Sequence, residues 1–190
     1  MLITLPNALT IGRIVAVPVF VAALYFLDGN LGRWTALGIF TVASITDWLD
    51  GHLARAWQQY SRFGAMLDPI ADKLLIAAAL MMLVSDDTIT GIHIFAALII
   101  LSREVLVSGL REFLACLNVK IRVTQLAKWK TAIQMVAIGL LIAGPAAEQI
   151  APGTTAIGLV LLWLAALLTI WTGSDYFFAA VHHASGHEGS

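Results

Sequence analysis

Four aspartates in two short stretches are the residues of this chain whose type and spacing could do chemistry. Asp47 and Asp50 stand at i and i+3, and Asp68 and Asp72 stand at i and i+4. Side chains three or four positions apart share one face of a helix. If both stretches are helical, two neighbouring helices can therefore aim four carboxylates at one point.

Such a carboxylate cluster predicts a metal site. Carboxylates at one point repel one another, and some would take up protons unless cations offset the charge. Carboxylate oxygens are the ligands that Mg²⁺ and Mn²⁺ prefer. A pair of such ions clamps both the attacking and the leaving oxygen of a phosphoryl displacement. The sequence therefore predicts two divalent metal ions, Mg²⁺ or Mn²⁺, at a site for phosphoryl transfer.

The four carboxylates receive different roles. We assign Asp47, Asp50 and Asp68 to the metals. Asp72 also contacts one metal, and it is the candidate general base that takes the proton from the attacking hydroxyl. For a single aspartate, a helix cap or a solvated loop would be the better interpretation. An acidic cluster in a membrane can also be an ion or proton pathway.

Small residues and one proline accompany the aspartates. Gly51, Ala54 and Gly64 lie on the same predicted helix faces. They leave room for a ligand or allow two helix backbones to approach closely. Pro69 follows Asp68 directly, and it could mark either the first turn of a helix or a kink. The sequence does not decide between these two positions.

The composition of the chain indicates whether this site lies in a soluble or a membrane protein. Of the 190 residues, 59% are hydrophobic and only 12% are charged, whereas soluble domains carry about 25% charged residues. This proportion of polar residues is too small to cover the surface of a globular protein in water. We therefore expect a membrane protein. The net charge of −1 gives no field that would attract nucleic acid. No linker or repeat divides residues 1–190, which predicts a single domain.

Apolar runs predict an all-α integral membrane bundle. A span needs roughly 20 mostly apolar residues. The chain offers six candidate transmembrane helices, near 9–27, 31–49, 66–85, 91–113, 129–147 and 154–178. Several of them are long enough only if a charged end continues the helix, and those charges must then face protein or water. Residues 1–9 are short and apolar and could form an interfacial helix before the first span.

The charges in the loops predict the orientation of the bundle. Cytoplasmic loops carry an excess of Lys and Arg. The two predicted loops near 50–65 and 114–128 hold several such residues, whereas Arg33 is the single cation of the other loops. We therefore expect a multi-pass protein of the cell inner (cytoplasmic) membrane with both termini in the cytoplasm. The aspartates then line a polar active site that opens to the cytoplasm.

The aspartate stretch also resembles a family signature. From Asp47 to Asp72 the chain reads Asp-x2-Asp-Gly-x2-Ala-Arg-x8-Gly-x3-Asp-x3-Asp. This pattern resembles the signature of the CDP-alcohol phosphotransferases at every fixed position, and the six-span plan agrees with that family. The resemblance implies transfer of a phosphate-linked group from a CDP-linked donor to an alcohol, with release of CMP. It also implies dependence on Mg²⁺ or Mn²⁺ and a homodimer.

The resemblance further implies how the donor is held. Gly51 and Ala54 would accommodate the cytidine end of the CDP group. Arg55 would bind the phosphates of the donor. Asp47 and Gly64 complete the predicted donor-binding set.

Three further stretches, 5–13, 102–113 and 128–135, are similar to family members that use CDP-diacylglycerol and sn-glycerol 3-phosphate. The products would be phosphatidylglycerophosphate and CMP. The aspartate signature does not separate this acceptor from phosphatidylglycerol or a phosphorylated inositol. An ion-coupled transporter is the alternative from another class. It would spread acidic residues over several spans, whereas here all four aspartates lie in one hairpin.

The acceptor carries a phosphate, which needs cations. Arg offers a planar fork for phosphate oxygens, and Lys offers a flexible point charge. The predicted acceptor-binding residues are Arg103, Arg111, Lys128, Lys130, Arg13 and Thr10. For Arg103 and Arg111, the alternative to phosphate binding is an ion pair with Glu104 or Glu112. For the two lysines, the alternative is a positive-inside anchor.

Overall fold

A computed structural model describes residues 5–57, 62–116 and 125–185, with side chains for most of them. Every regular element in these ranges is a helix, so the all-α prediction is confirmed. The six helices are α1 Leu5–Phe26, α2 Gly29–Trp57, α3 Arg62–Ser85, α4 His93–Cys116, α5 Gln125–Ala147 and α6 Thr154–Ser185. Helix α1 runs without a break from Leu5, so residues 5–9 extend the first helix instead of forming a separate interfacial one.

The described helices have the length and surface of membrane spans. Four contain segments long and apolar enough to cross a bilayer, namely Leu9–Phe26, His93–Leu114, Trp129–Ala147 and Thr154–Gly173. Helices α2 and α3 have 29 and 24 residues and carry the aspartates near their connected ends. Large apolar side chains such as Val42, Met81 and Leu167 are more than half exposed. Surfaces of this kind belong in lipid, and the chain is a membrane protein.

The bundle consists of two groups of three helices. Helix α1 packs against α2 and α3, and α6 packs against α4 and α5. The two groups meet where α5 contacts α2 and α3 and where α3 contacts α4. We call α1–α3 the aspartate group, because α2 and α3 carry the four aspartates. We call α4–α6 the cation group, because α4 and α5 carry four of the predicted acceptor-binding residues.

Two contacts define the relative depth of the helices. The rings of Phe20 and Phe40 lie 6.3 Å apart between the antiparallel helices α1 and α2. Arg13 precedes Phe20 by about two turns and Asp47 follows Phe40 by the same number, so both positions lie at one depth. A Cβ at Gly139 would lie 3.7 Å from the Leu37 side chain. Helices α2 and α5 run in opposite directions, so residue 130, nine positions before Gly139, lies at the depth of residue 46, nine positions after Leu37.

Close backbone approach holds the α5–α6 hairpin together. A Cβ at Gly158 would lie 2.9 Å from the Leu141 side chain, and a Cβ at Gly144 would lie 2.9 Å from Thr155 Oγ1. Small residues at such points let two membrane helices pack closely. A side chain at either glycine would therefore force Thr155 or Leu141 to move from its present position.

Polar contacts secure the end of the bundle opposite the aspartates. Arg33 forms an ion pair with Asp86 at 2.9 Å and donates to Thr88 Oγ1 at 3.0 Å. In the α5–α6 turn, Glu148 accepts hydrogen bonds of 2.8 Å from the backbone N–H groups of Gly153 and Thr155. These two bonds cap the start of α6, and they lower the pKa of Glu148 because they favour its charged form.

Candidate active site

The aspartate stretches are helical, as their spacing predicts. Asp47 and Asp50 lie in α2, and Asp68 and Asp72 lie in α3. Each pair therefore shares one helix face. Helix α2 ends at Trp57 and α3 begins at Arg62, so the connection between them returns both stretches to the same side of the membrane.

The side chains of the four aspartates lie outside the described part of the structure, as do those of Ala54, Arg55 and Lys128 and the surroundings of Gly51 and Gly64. The metal and donor assignments therefore stay predictions. Elsewhere in the described residues, no group of three or more His, Cys, Asp or Glu side chains could hold a metal ion. Four carboxylates, two on each of two helices, fit the oxygen-rich coordination of Mg²⁺ or Mn²⁺.

The position of Pro69 is resolved by the helix boundary. Helix α3 begins at Arg62, so Pro69 lies inside the helix and not in its first turn. Proline removes one backbone N–H at this point. The Lys73 ammonium donates to the Pro69 carbonyl at 2.7 Å, reaching back towards the end of α3 that carries the aspartates. Lys73 thus behaves as a snorkelling cation.

The cation group brings together two of the predicted acceptor-binding residues. Arg103 comes from α4, and Lys130 comes from α5. Lys130 donates to Glu104 Oε1, and an Arg103 guanidinium nitrogen lies 3.5 Å from the same oxygen. Lys130 is only 2% exposed. The ion pair of Arg103 with Glu104, which was the alternative to phosphate binding, is thus present, and it includes Lys130 as well.

Helix α6 supports Arg103 from the other side. The second terminal nitrogen of Arg103 donates to Thr172 Oγ1 at 3.1 Å, and that hydroxyl donates to the Leu168 carbonyl at 2.9 Å. A Cβ at Gly173 would lie 3.4 Å from Arg103 Cγ and Nε. Arg103 therefore lies directly on the α6 backbone between a carboxylate and a hydroxyl.

The remaining predicted acceptor residues are divided between the two helix groups. Arg111 is exposed on α4, and its charge acts on the Lys130 ammonium. Lys128 lies in the first turns of α5. Thr10 and Arg13 are each 2% exposed on α1, in the aspartate group and not in the cation group. Arg13 lies at the depth of residue 47 in α2, and its role towards the acceptor phosphate stays a prediction.

Sequence reasoning gave no functional role to three polar residues of the cation group that are buried or partly buried. Glu104 is the shared partner of both cations, and Thr172 supports Arg103. Gln134 lies one turn beyond Lys130 on α5 and is fully buried, and its amide has no hydrogen-bond partner among the described residues. Glu104 and Gln134 fall in the stretches 102–113 and 128–135, whose similarity to family members could have indicated a role for them. Thr172 gave none.

Comparison with known proteins identifies the family of the chain. The family model for CDP-alcohol phosphatidyltransferase matches residues 3–171. The chain belongs to this family. Its members include a CDP-diacylglycerol–glycerol-3-phosphate 3-phosphatidyltransferase of Rickettsia felis, which is 47% identical over 92% of this chain and 94% of its own length. The enzyme of that name from Haemophilus influenzae is 44% identical over 93% of this chain and 92% of its own length.

A third relative has a different name. The CMP-forming cardiolipin synthase of Oryza sativa subsp. japonica is 39% identical over 90% of this chain and 55% of its own length. Proteins with two different enzyme names are thus similar to this chain over nearly its whole length. Similarity to the family alone therefore does not select an acceptor.

Proposed function

We propose that this CDP-alcohol phosphatidyltransferase transfers the phosphatidyl group of CDP-diacylglycerol to sn-glycerol 3-phosphate. The products are phosphatidylglycerophosphate and CMP, in phospholipid biosynthesis. The observation that carries the acceptor assignment is the cluster of Arg103 and Lys130 at the depth of the aspartate stretch. A small acceptor with its own phosphate needs such cations close to the reacting centre. The names of the Rickettsia and Haemophilus relatives support the same acceptor.

The chemistry divides between the two helix groups. Asp47, Asp50, Asp68 and Asp72 would hold two divalent ions, Mg²⁺ or Mn²⁺, which supply positive charge for the donor diphosphate. Asp72 takes the proton of the free primary hydroxyl of the acceptor. The hydroxyl oxygen then bonds to the phosphorus of the phosphatidyl group, and the bond from that phosphorus to CMP breaks.

The donor's CDP group lies along α2 in this proposal. Gly51 and Ala54 leave space for the cytidine, and Arg55 binds the diphosphate. Its acyl chains remain in the bilayer beside the helices, so the lipid enters laterally. The water-soluble acceptor enters from the cytoplasm, towards the cations of α4 and α5.

We propose the inner (cytoplasmic) membrane as the location, with both termini and the active site on the cytoplasmic side. The charges of the loops support this orientation. We also propose a homodimer, which rests on the family resemblance. Crosslinking in native membranes would detect the dimer, and labelling of the N-terminus in sealed vesicles would test the orientation.

An acceptor panel tests the proposed function directly. Purified protein in detergent micelles containing CDP-diacylglycerol is offered sn-glycerol 3-phosphate, phosphatidylglycerol or inositol 1-phosphate, and the lipid product is weighed by mass spectrometry. We expect phosphatidylglycerophosphate and equimolar CMP with the first acceptor only. Cardiolipin as the main product would replace the proposal with the activity named for the rice relative. Absence of CMP with every acceptor would contradict a transferase.

The exposed Arg111 gives a second test of the acceptor site. Arg111→Ala should raise the KM for sn-glycerol 3-phosphate and leave the KM for CDP-diacylglycerol unchanged. A hydrogen bond to a charged group contributes about 1.5–3 kcal/mol, so the increase should be about ten- to a hundredfold. Arg103→Ala should act in the same direction, and Lys128→Ala more mildly. Both KM values are measured on protein that elutes normally in size-exclusion chromatography. If neither arginine variant changes the acceptor KM, these residues belong to the scaffold.

A further inference from the structure

Glu104 occupies a position that the proposed reaction does not yet explain. Its side chain is 18% exposed, and a single oxygen, Oε1, contacts both the Lys130 ammonium and the Arg103 guanidinium. A carboxylate is an unexpected neighbour for a phosphate site, because it repels the ligand. Its presence between the two cations therefore needs a reason.

We propose that Glu104 is a positioning residue that holds Arg103 and Lys130 together in the arrangement that receives the phosphate of the acceptor. The proposal rests on the proposed function, since it assumes that these cations bind an acceptor phosphate. Glu104 itself does not touch the reacting atoms. It acts through the two cations.

The burial of Lys130 supplies the first physical reason. Its side chain is 3% exposed, and a buried ammonium without a counter-charge is strongly unfavourable. Arg103 and Arg111 add further positive charge around it, and the α6 contact in this cluster, Thr172, is neutral. Glu104 is the carboxylate that the described structure places against Lys130. Without it, the cations repel one another and no counter-charge stabilises the buried position of Lys130.

The shared oxygen supplies the second reason. Two cations that contact one oxygen point at nearly the same place, so an anion beside Glu104 can meet both of them. Arg103 is further fixed by Thr172 at 3.1 Å. Two cations and one carboxylate leave a net positive charge, which Arg111 increases. The cluster therefore remains attractive to a phosphate dianion although it contains an acid.

Glu104→Gln tests the proposal because it removes the charge and keeps the shape. The matched control is Glu112→Gln, the same change two turns further along α4 on an exposed residue. We expect Glu104→Gln to raise the KM for sn-glycerol 3-phosphate about tenfold or more, the loss expected for a charged contact. The donor KM, and kcat at saturating acceptor, should stay close to the wild-type values. Glu104→Asp, which keeps the charge, should recover most of the acceptor affinity, and Glu112→Gln should behave as wild type.

Other outcomes overturn the proposal. An unchanged acceptor KM would make Glu104 a structural residue. A lower acceptor KM would show that the carboxylate competes with the phosphate. Equal losses for both substrates, or the same loss in Glu104→Asp, would indicate damage to the fold.

A binding measurement separates this proposal from the proposed function. Inorganic phosphate should raise the thermal midpoint of the wild-type protein and of Glu112→Gln in detergent, because a ligand stabilises the state that binds it. Glu104→Gln should need about tenfold more phosphate for the same shift, the binding counterpart of the KM change. If this holds while no phosphatidylglycerophosphate is made, only the acceptor assignment fails. If the wild type uses sn-glycerol 3-phosphate and Glu104→Gln responds normally to phosphate, only the role of Glu104 fails.

Discussion

Asp72→Asn should remove nearly all turnover while the binding of CDP-diacylglycerol survives. The amide has the shape of the carboxylate but cannot take the proton of the acceptor hydroxyl. General base catalysis contributes about 10²–10⁴-fold, so a loss of this size is expected in kcat. The measurement is CMP release under saturating substrates, together with equilibrium binding of the donor to the same protein preparation.

Two further variants give this experiment its contrast. Asp50→Ala should lose donor binding as well as turnover, because this carboxylate is assigned to the metals that hold the diphosphate. Asp87→Asn makes the same chemical change at an exposed aspartate at the opposite end of the bundle and should leave activity unchanged. Asp72→Asn with near-normal kcat would refute the assignment of the base.

Removal of divalent metal should abolish CMP release completely, and Mg²⁺ or Mn²⁺ should restore it. Four carboxylates on two neighbouring helix stretches repel one another without cations, so the metal-free protein should also have a lower thermal midpoint. This second measurement does not depend on activity. Replacement of Asp47 and Asp68 by asparagine should remove the dependence of the midpoint on metal.

The control for metal removal is the same chelator already saturated with the activating ion, Mg²⁺ or Mn²⁺, which excludes an effect of the chelator itself. Full activity in protein shown by elemental analysis to be free of metal would contradict a metal-dependent reaction. A midpoint that does not respond to Mg²⁺ or Mn²⁺ would place the aspartates outside any metal site.

The helices were predictable because apolar runs long enough to cross a membrane rarely occur in other structures. Their ends were less predictable. Helix α2 continues to Trp57, beyond the predicted span 31–49, because charged residues such as Asp50 and Arg55 can extend a helix past the membrane surface without entering lipid. Helix α4 continues three residues beyond its predicted span, to Cys116. Pro69 gave an ambiguous signal, since proline is compatible with the first turn and, at a cost, with the interior.

The site was predictable to the extent that its residues lie close together in sequence. Helical spacing along α2 and α3 was enough to group the aspartates. The cation cluster joins three helices across 69 residues from Arg103 to Thr172, and no local pattern encodes that contact. The assignment of Arg103 and Lys130 came from their charge and from their predicted place at one level of the membrane. Their common partner Glu104 and the separation of Arg13 from them required the packing of the bundle.

The division into two helix groups also has a consequence for evolution. If the proposed roles of the two groups are right, a lineage could alter the alcohol that it uses through substitutions in α4–α6 while the aspartates of α2 and α3 stay unchanged. The seam between the groups, where Gly139 approaches Leu37, would then tolerate fewer changes than either pocket. New lipid headgroups can arise in this way by inheritance of one half and divergence of the other.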